Sequence, residues 1–270
     1  MAQRNVATPL HQALGAGATC GEIARIIATT PDLDMNARDE NNWTALYLAC
    51  RLDRVNVVML LLGQPPGQVN AADQHGHTVA HYSVTEGRRR LLLHLVKDPR
   101  VDFLRKTSGD RSVLQYAAFV GSTASVQILL ASGRDVGDLA SWRNRARDVH
   151  FGFNDGTATV ILDLLARFES DPAQTRYTLR LSKELRADWP EAGAAELFAL
   201  VVLFCDGYLR SSPAMPHHPL ISRFFMISVR LPLELQMLFA LRAFRLTNTV
   251  IITRHSEPAF RFLLRKHFTR

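Results

Sequence analysis

One six-residue pattern returns at an almost constant interval, and no other feature restricts the fold of this 270-residue chain so tightly. It reads TPLHQA from Thr8, TALYLA from Thr44, TVAHYS from Thr78, SVLQYA from Ser112 and, in decayed form, RARDVH from Arg145, so successive starts lie 36, 34, 34 and 33 residues apart. A period in this range means that each copy is one supersecondary unit that cannot bury its apolar face alone, which makes stacking on neighbours obligatory. Positions outside the motif keep the same register. Nine residues after the starts stand Gly17, Asp53, Gly87, Gly121 and Asn154, all types that tolerate the left-handed backbone at which a short helix stops. A second apolar helix is predicted in each unit from VNVVMLLL, RRLLLHLV and ASVQILL. Its paired large residues, Leu61 and Leu62, Leu95 and Val96, Leu129 and Leu130, mark core between units.

The motif resembles the ankyrin repeat, whose T-P-L-H-x-A pattern the first copy matches in full, and the resemblance covers about residues 5–168 as five units. It implies an all-α ankyrin-repeat solenoid of helix–turn–helix units with β-hairpin-like fingers, entered at turns such as NARD from Asn36 and NAAD from Asn70. It also implies a non-enzymatic protein–protein interaction module, with a concave face built from finger tips and inner helices. Carried over position by position, the partner-binding candidates are Trp43, His75, His77, Arg111 and Trp142 on finger tips, with Arg51, Leu52, Thr85, Glu86 and Phe119 on inner helices. Trp and Arg among them are the types enriched at interface hot spots. His81 holds the motif's histidine position, where the family's ring ties neighbouring units together. The first and fifth units depart from the pattern as end caps do.

A helical domain, residues 171–270, is expected after the array at 1–170 and is read as capping its last unit. Asp171-Pro172 forms an N-cap with proline in the first turn, and Tyr177, Leu181 and Leu185 recur every four residues. Trp189-Pro190 then opens a run whose wide apolar faces suit a buried central helix. Three further helices are predicted from Ile221, from Pro232 and after a Ser256 cap. The stretch Leu231, Pro232, Leu233, Glu234 and Leu235 has two readings. It is a proline-started helix with Leu231, Leu235, Leu238 and Phe239 turned inward, or it is similar to the start of an F-box. VVLFCDGYL before LPLE is likewise similar to a SOCS box. Either box would recruit a cullin-RING ubiquitin ligase through its adaptor.

Composition narrows the alternatives. Residues 191–270 carry ten Lys/Arg against five Asp/Glu, which leaves +5 of the net +7 there, yet no Lys/Arg run with interleaved aromatics suggests nucleic acid. The longest apolar run, Leu197 to Cys205, is far below the roughly 20 residues a membrane helix needs, and no membrane role is expected. Cys20, Cys50 and Cys205 have no metal-ligand spacing and fit free thiols in a reducing compartment, cytoplasmic or nuclear. His77 and His81 stand at i, i+4 but lack a companion Cys or carboxylate at ligand spacing. No nucleophile elbow, phosphate loop or HExxH occurs. A monomer with no cofactor, no metal and no enzymatic activity is therefore expected, acting through protein partners.

Overall fold

The computed structural model describes residues 7–31, 33–64, 69–85, 88–137, 139, 156–205, 232–243 and 253–268. Among these the protein is all-α, with an isolated antiparallel bridge between Arg38 and Thr44. The chain divides into two compact units, Met1–Glu169 and Ser170–Arg270.

Among the described residues the first unit shows four helix pairs: α1 (Pro9–Gly15) with α2 (Cys20–Thr29), α3 (Ala45–Arg51) with α4 (Val55–Leu62), α5 (Val79–Ser83) with α6 (Arg89–Leu95), and α7 (Val113–Phe119) with α8 (Thr123–Ser132). First helices pack on first helices and second on second, which gives two layers. Helices this short are marginal in water, so each needs a cap and a neighbour. The motif supplies the cap: Thr8, Thr44, Thr78 and Ser112 are the N-cap residues, and the motif's fourth residue, three places on, completes a capping box as His11, His81 or Gln115. The stop signals work as the register predicts, with Gly17, Asp53 and Gly121 at φ of 79°, 53° and 73°; Gly87 and Asn154 lie outside the described residues. Leu61, Leu62, Leu95, Val96, Leu129 and Leu130 are all buried between units.

The fingers repeat as well. Asp39, Asp73 and Thr107 each donate a backbone N–H to the carbonyl four residues on, of Trp43, His77 and Arg111. A positive φ turns each tip, at Asn42, Gly76 and Asp110. Gly76 is required twice over, because a Cβ there would also meet the Ser108 backbone nitrogen of the next finger at 2.9 Å. The fifth motif from Arg145 lies outside the described residues. All but the last residue of α9 (Thr157–Ser170) belongs to the first unit, and this helix buries Ile161, Leu165 and Phe168.

The second unit contains α10 (Pro172–Leu181), α11 (Pro190–Cys205), α12 (Leu233–Ala243) and α13 (Thr253–Phe268). Asp171 caps α10 by accepting from the Gln174 N–H at 3.0 Å, with Pro172 in the first turn. The central α11 is apolar over most of its surface, with Glu191 and Glu196 as its charged residues, and packs on α12 and α13 through Ala192, Ala194, Ala195, Ala199, Ala240, Leu241, Ala259 and Leu263. Two expectations are corrected. The last helix starts at Thr253, so Ser256 and Pro258 stand inside it and Ser256 is no cap. On α12 the buried stripe runs through Gln236, Ala240 and Leu241, because small alanines let the helices approach there. Leu235 and Leu238 are rotated outward and stay 46% and 48% exposed. The helix expected from Ile221 lies outside the described residues.

Candidate functional site

Residues one before and seven after each motif start flank the inner helix on the finger side. In the second repeat these are Trp43 and Arg51, and the Arg51 guanidinium sits 4.2 Å above the Trp43 ring. In the fourth they are Arg111 and Phe119, and here the guanidinium comes from the finger and the ring from the helix, 4.0 Å apart. The same two positions thus form the same cation–π stack with partners exchanged. Between them, in the third repeat, stand His77 and Thr85.

Aromatic rings join the two stacks. Trp43 stacks on Tyr47 at 5.7 Å, Tyr47 meets Tyr82 edge-on at 4.7 Å, and Tyr82 meets His77 at 6.0 Å. His77 lies 5.1 Å from Tyr116, which stacks on Phe119 at 6.4 Å. The result is one aromatic strip across three repeats with an arginine at each end. Its rim exposes apolar area at Leu52 and Phe119.

The strip is held from beneath by hydrogen bonds that depend on protonation state. Asp73 Oδ1 accepts from the backbone N–H groups of His75 and His77, both at 2.8 Å, while Oδ2 accepts from the Tyr47 hydroxyl at 2.8 Å. Burial alone would raise this carboxyl, but those donors outweigh it and hold it below the usual carboxylate range. Asp39 repeats the arrangement for the preceding finger, accepting from Asn41 and Trp43. Burial pushes the Tyr47 phenol far up, with Tyr82 and Asp73 adding in the same direction. His81 has one workable tautomer. Thr78 N–H donates to Nδ1 at 3.2 Å, so Nε2 carries the proton and donates to the Arg111 carbonyl at 3.3 Å. Burial lowers its pKa to about 4, partly opposed by that carbonyl. His11 makes the corresponding bond to the Trp43 carbonyl at 2.9 Å. The motif histidines therefore carry finger tips, not ligands, and among the described residues no His, Cys, Asp and Glu cluster could hold a metal.

Of the residues singled out from the sequence, Trp43, Arg51, Leu52, His77, Arg111 and Phe119 lie on or beside the strip, and Thr85 closes its helix by bonding its hydroxyl to the Tyr82 carbonyl. His75 is exposed at the finger tip, where its carbonyl receives both the N–H and the hydroxyl of Ser108. Glu86, Trp142 and Leu231 lie outside the described residues. Pro232, Leu233 and Leu235 are exposed at the start of α12; Leu233 and Glu234 are its first two residues. Sequence reasoning missed Tyr47, Tyr82 and Tyr116, which form the middle of the strip. The last two are 34 residues apart at one register position, a signal that the sequence contains.

Fold and strip together define a helical repeat solenoid whose finger side carries an ordered aromatic surface. The family model for the ankyrin repeat matches residues 41–74, the second unit and the finger after it. The chain is 24% identical over 161 residues to the nuclear factor NF-kappa-B p105 subunit of Gallus gallus, covering 57% of this chain and 16% of that protein. It is 31% identical over 97 residues to an ankyrin repeat-containing protein of Schizosaccharomyces pombe, covering 35% of this chain and 42% of that one. The chain thus spans less than half the length of either curated relative. Its repeat array belongs to the ankyrin-repeat family, whose repeats serve protein–protein interaction.

Proposed function

We propose that the chain is a non-enzymatic interaction module that binds a partner protein over the strip from Trp43 to Phe119. The observation that carries this reading is the paired cation–π stacks. Ring and guanidinium are preorganised at both ends, which lowers the ordering cost of binding. Large aromatics and arginine also form the fully desolvated centres of known interfaces. The backbone under the strip is pinned by Asp39 and Asp73, so its side chains can be changed without unfolding the finger. Partner capture with Trp43→Ala and Phe119→Ala, beside Met59→Ala on an exposed outer helix, tests it. Loss in the first two and retention in the third is the expected result; loss in Met59→Ala alone would move the interface to the other layer.

A second reading concerns α12. Leu233, Leu235 and Leu238 are each about half exposed, which suits docking of a second protein, and a cullin-ligase adaptor is the candidate that the LPLEL spelling suggests. Leu233→Ser with Leu235→Ser should then abolish co-purification of ligase subunits while the array's partner is kept. A cytoplasmic or nuclear setting goes with this reading, supported by free Cys20 and Cys50 and by the absence, among the described residues, of any helix long and apolar enough to cross a membrane.

A further inference from the structure

The two arginines that end the strip decide what kind of partner it fits. Each guanidinium carbon lies over an aromatic ring, 4.2 Å from the Trp43 centroid and 4.0 Å from the Phe119 centroid, a contact that spends none of its N–H donors on a hydrogen-bond acceptor. Neither Arg51 nor Arg111 has a carboxylate in ion-pair contact among the described residues. The acids nearby in sequence that the structure describes are otherwise engaged or unpaired with either arginine: Asp39 and Asp73 are tied to finger N–H groups, Asp110 pairs with Lys106 at 2.7 Å, and Glu40 and Asp53 are exposed and form no ion pair with Arg51 or Arg111, while Glu86 lies outside the described residues. Most other cations of the array whose bonds are defined serve their own backbone. Arg38 donates to the Ala72 carbonyl, Arg54 to Ala18, Arg88 to Cys50 and Arg51, Arg100 to Leu62, and Arg134 to Val101. Among the described residues, Arg51 and Arg111 are thus set apart as side chains held in place by a ring and without a carboxylate partner.

The geometry points to a partner segment of defined chemistry: an extended acidic peptide stretch with two carboxylates, one for each guanidinium, and apolar residues between them lying on Tyr82, His77 and Tyr116. This deepens the interaction reading above and rests on it. A guanidinium fixed on a ring pays less entropy to make the bidentate bond that a carboxylate accepts. The spacing follows from the stack. Arg51 and Arg111 are two repeats apart, and helix-to-helix steps of about 8–10 Å put them on the order of 20 Å apart. An extended chain advances about 3.3 Å per residue, so the carboxylates should be separated by about six residues.

The test uses the full-length protein and a displayed library of random peptides. Enriched peptides should carry two Asp or Glu at about that spacing around apolar residues, and replacing either acid by its amide should weaken binding about tenfold, or about 1.4 kcal/mol. The double charge reversal R51E/R111E should enrich Lys or Arg at the same two places. The milder pair Arg51→Gln and Arg111→Gln, which keeps a polar side chain at each site, should erase the difference between acid and amide peptides if the reversal fails to fold. Peptides that lose binding to Trp43→Ala or Phe119→Ala, yet change less than about twofold on acid-to-amide replacement, would overturn the acidic specificity and leave the interaction face standing. Enriched peptides indifferent to both aromatic substitutions, or no enrichment at all, would overturn both.

Discussion

His81 makes the array sensitive to acid in a way that one substitution isolates. Its ring is fully buried, accepts at Nδ1 from the Thr78 N–H and donates at Nε2 to the Arg111 carbonyl. Protonation would set a second N–H against the Thr78 donor, and burial accordingly lowers the pKa from 6.5 to about 4. Because the folded value is depressed, the unfolded chain binds the extra proton throughout that window. Stability is therefore full above about pH 6.5 and is lost as pH falls toward about 4. Linkage at about 1.4 kcal/mol per pH unit gives a loss of about 2 kcal/mol by about pH 5, and about 3 kcal/mol once the folded ring titrates.

His81→Gln is the informative perturbation, since Gln115 already fills the same motif position in the next repeat and accepts there from the Ser112 N–H at 2.9 Å. The cap is kept and only the bond to the Arg111 carbonyl is lost, a cost of about 1 kcal/mol. Urea unfolding followed by far-ultraviolet circular dichroism should find the variant less stable by about 1 kcal/mol near pH 7 and more stable by about 1 kcal/mol near pH 5, with the two curves crossing near pH 6. Asp73 and Asp98, whose carboxyls are lowered, lose their contribution only as pH falls below the ordinary aspartate value. Parallel curves without a crossing would refute the buried neutral ring.

Other outcomes follow from the same contacts. Gly76→Ala forces a side chain into positive φ and into the neighbouring finger at 2.9 Å, so differential scanning calorimetry should register a loss of about 1–3 kcal/mol. Leu129→Ala should cost about 2–5 kcal/mol through a cavity between repeats, whereas Met59→Ala on the exposed outer layer should stay within about 0.5 kcal/mol. Arg88→Met keeps an apolar stem but strips the donors that close the end of α3 at Cys50 and Arg51. It should lower stability by about 1–3 kcal/mol and speed hydrogen exchange in the second repeat first. Trp43→Ala removes the ring and leaves the finger's backbone bonds to His11 and Asp39; the partner's affinity should fall about thirtyfold, or about 2 kcal/mol, with little change in melting temperature.

What could be read from the sequence is what the backbone imposes. Caps at Thr8, Thr44, Thr78 and Ser112, stops at Gly17, Asp53 and Gly121, and paired leucines of the second helices recur because every unit must solve the same capping and stacking problem. The strip is legible only in part, for the opposite reason. Positions before and after each inner helix carry Trp43 and Arg51, His77 and Thr85, Arg111 and Phe119, and nothing in the fold demands any one of them. Finger and helix could be named as contact positions, but that their side chains stack across repeats depends on rotamers and on Tyr47 replacing the motif histidine. On α12 the failure was of register. An apolar spelling with leucine at 233, 235, 238 and 241 allows more than one inward face, and the choice falls to the small Ala240 meeting the alanines of α11.

The arginines show how charge counted along the chain misleads when its destination is unknown. Arg54 and Arg88 stand 34 residues apart, as do Arg100 and Arg134. Each reaches the backbone carbonyls of the preceding repeat. Such bonds satisfy the orphan carbonyls of short helices and loops while leaving the formal charge in place. The positive charge of this part of the array is thus in large measure a by-product of joining repeats, and a polyanion would find these guanidinium donors already directed at carbonyl oxygens. In the interaction proposed above, specific recognition would fall to cations whose donors are unspent and whose position is fixed, and in the described repeats Arg51 and Arg111 meet both conditions through the rings they lie against.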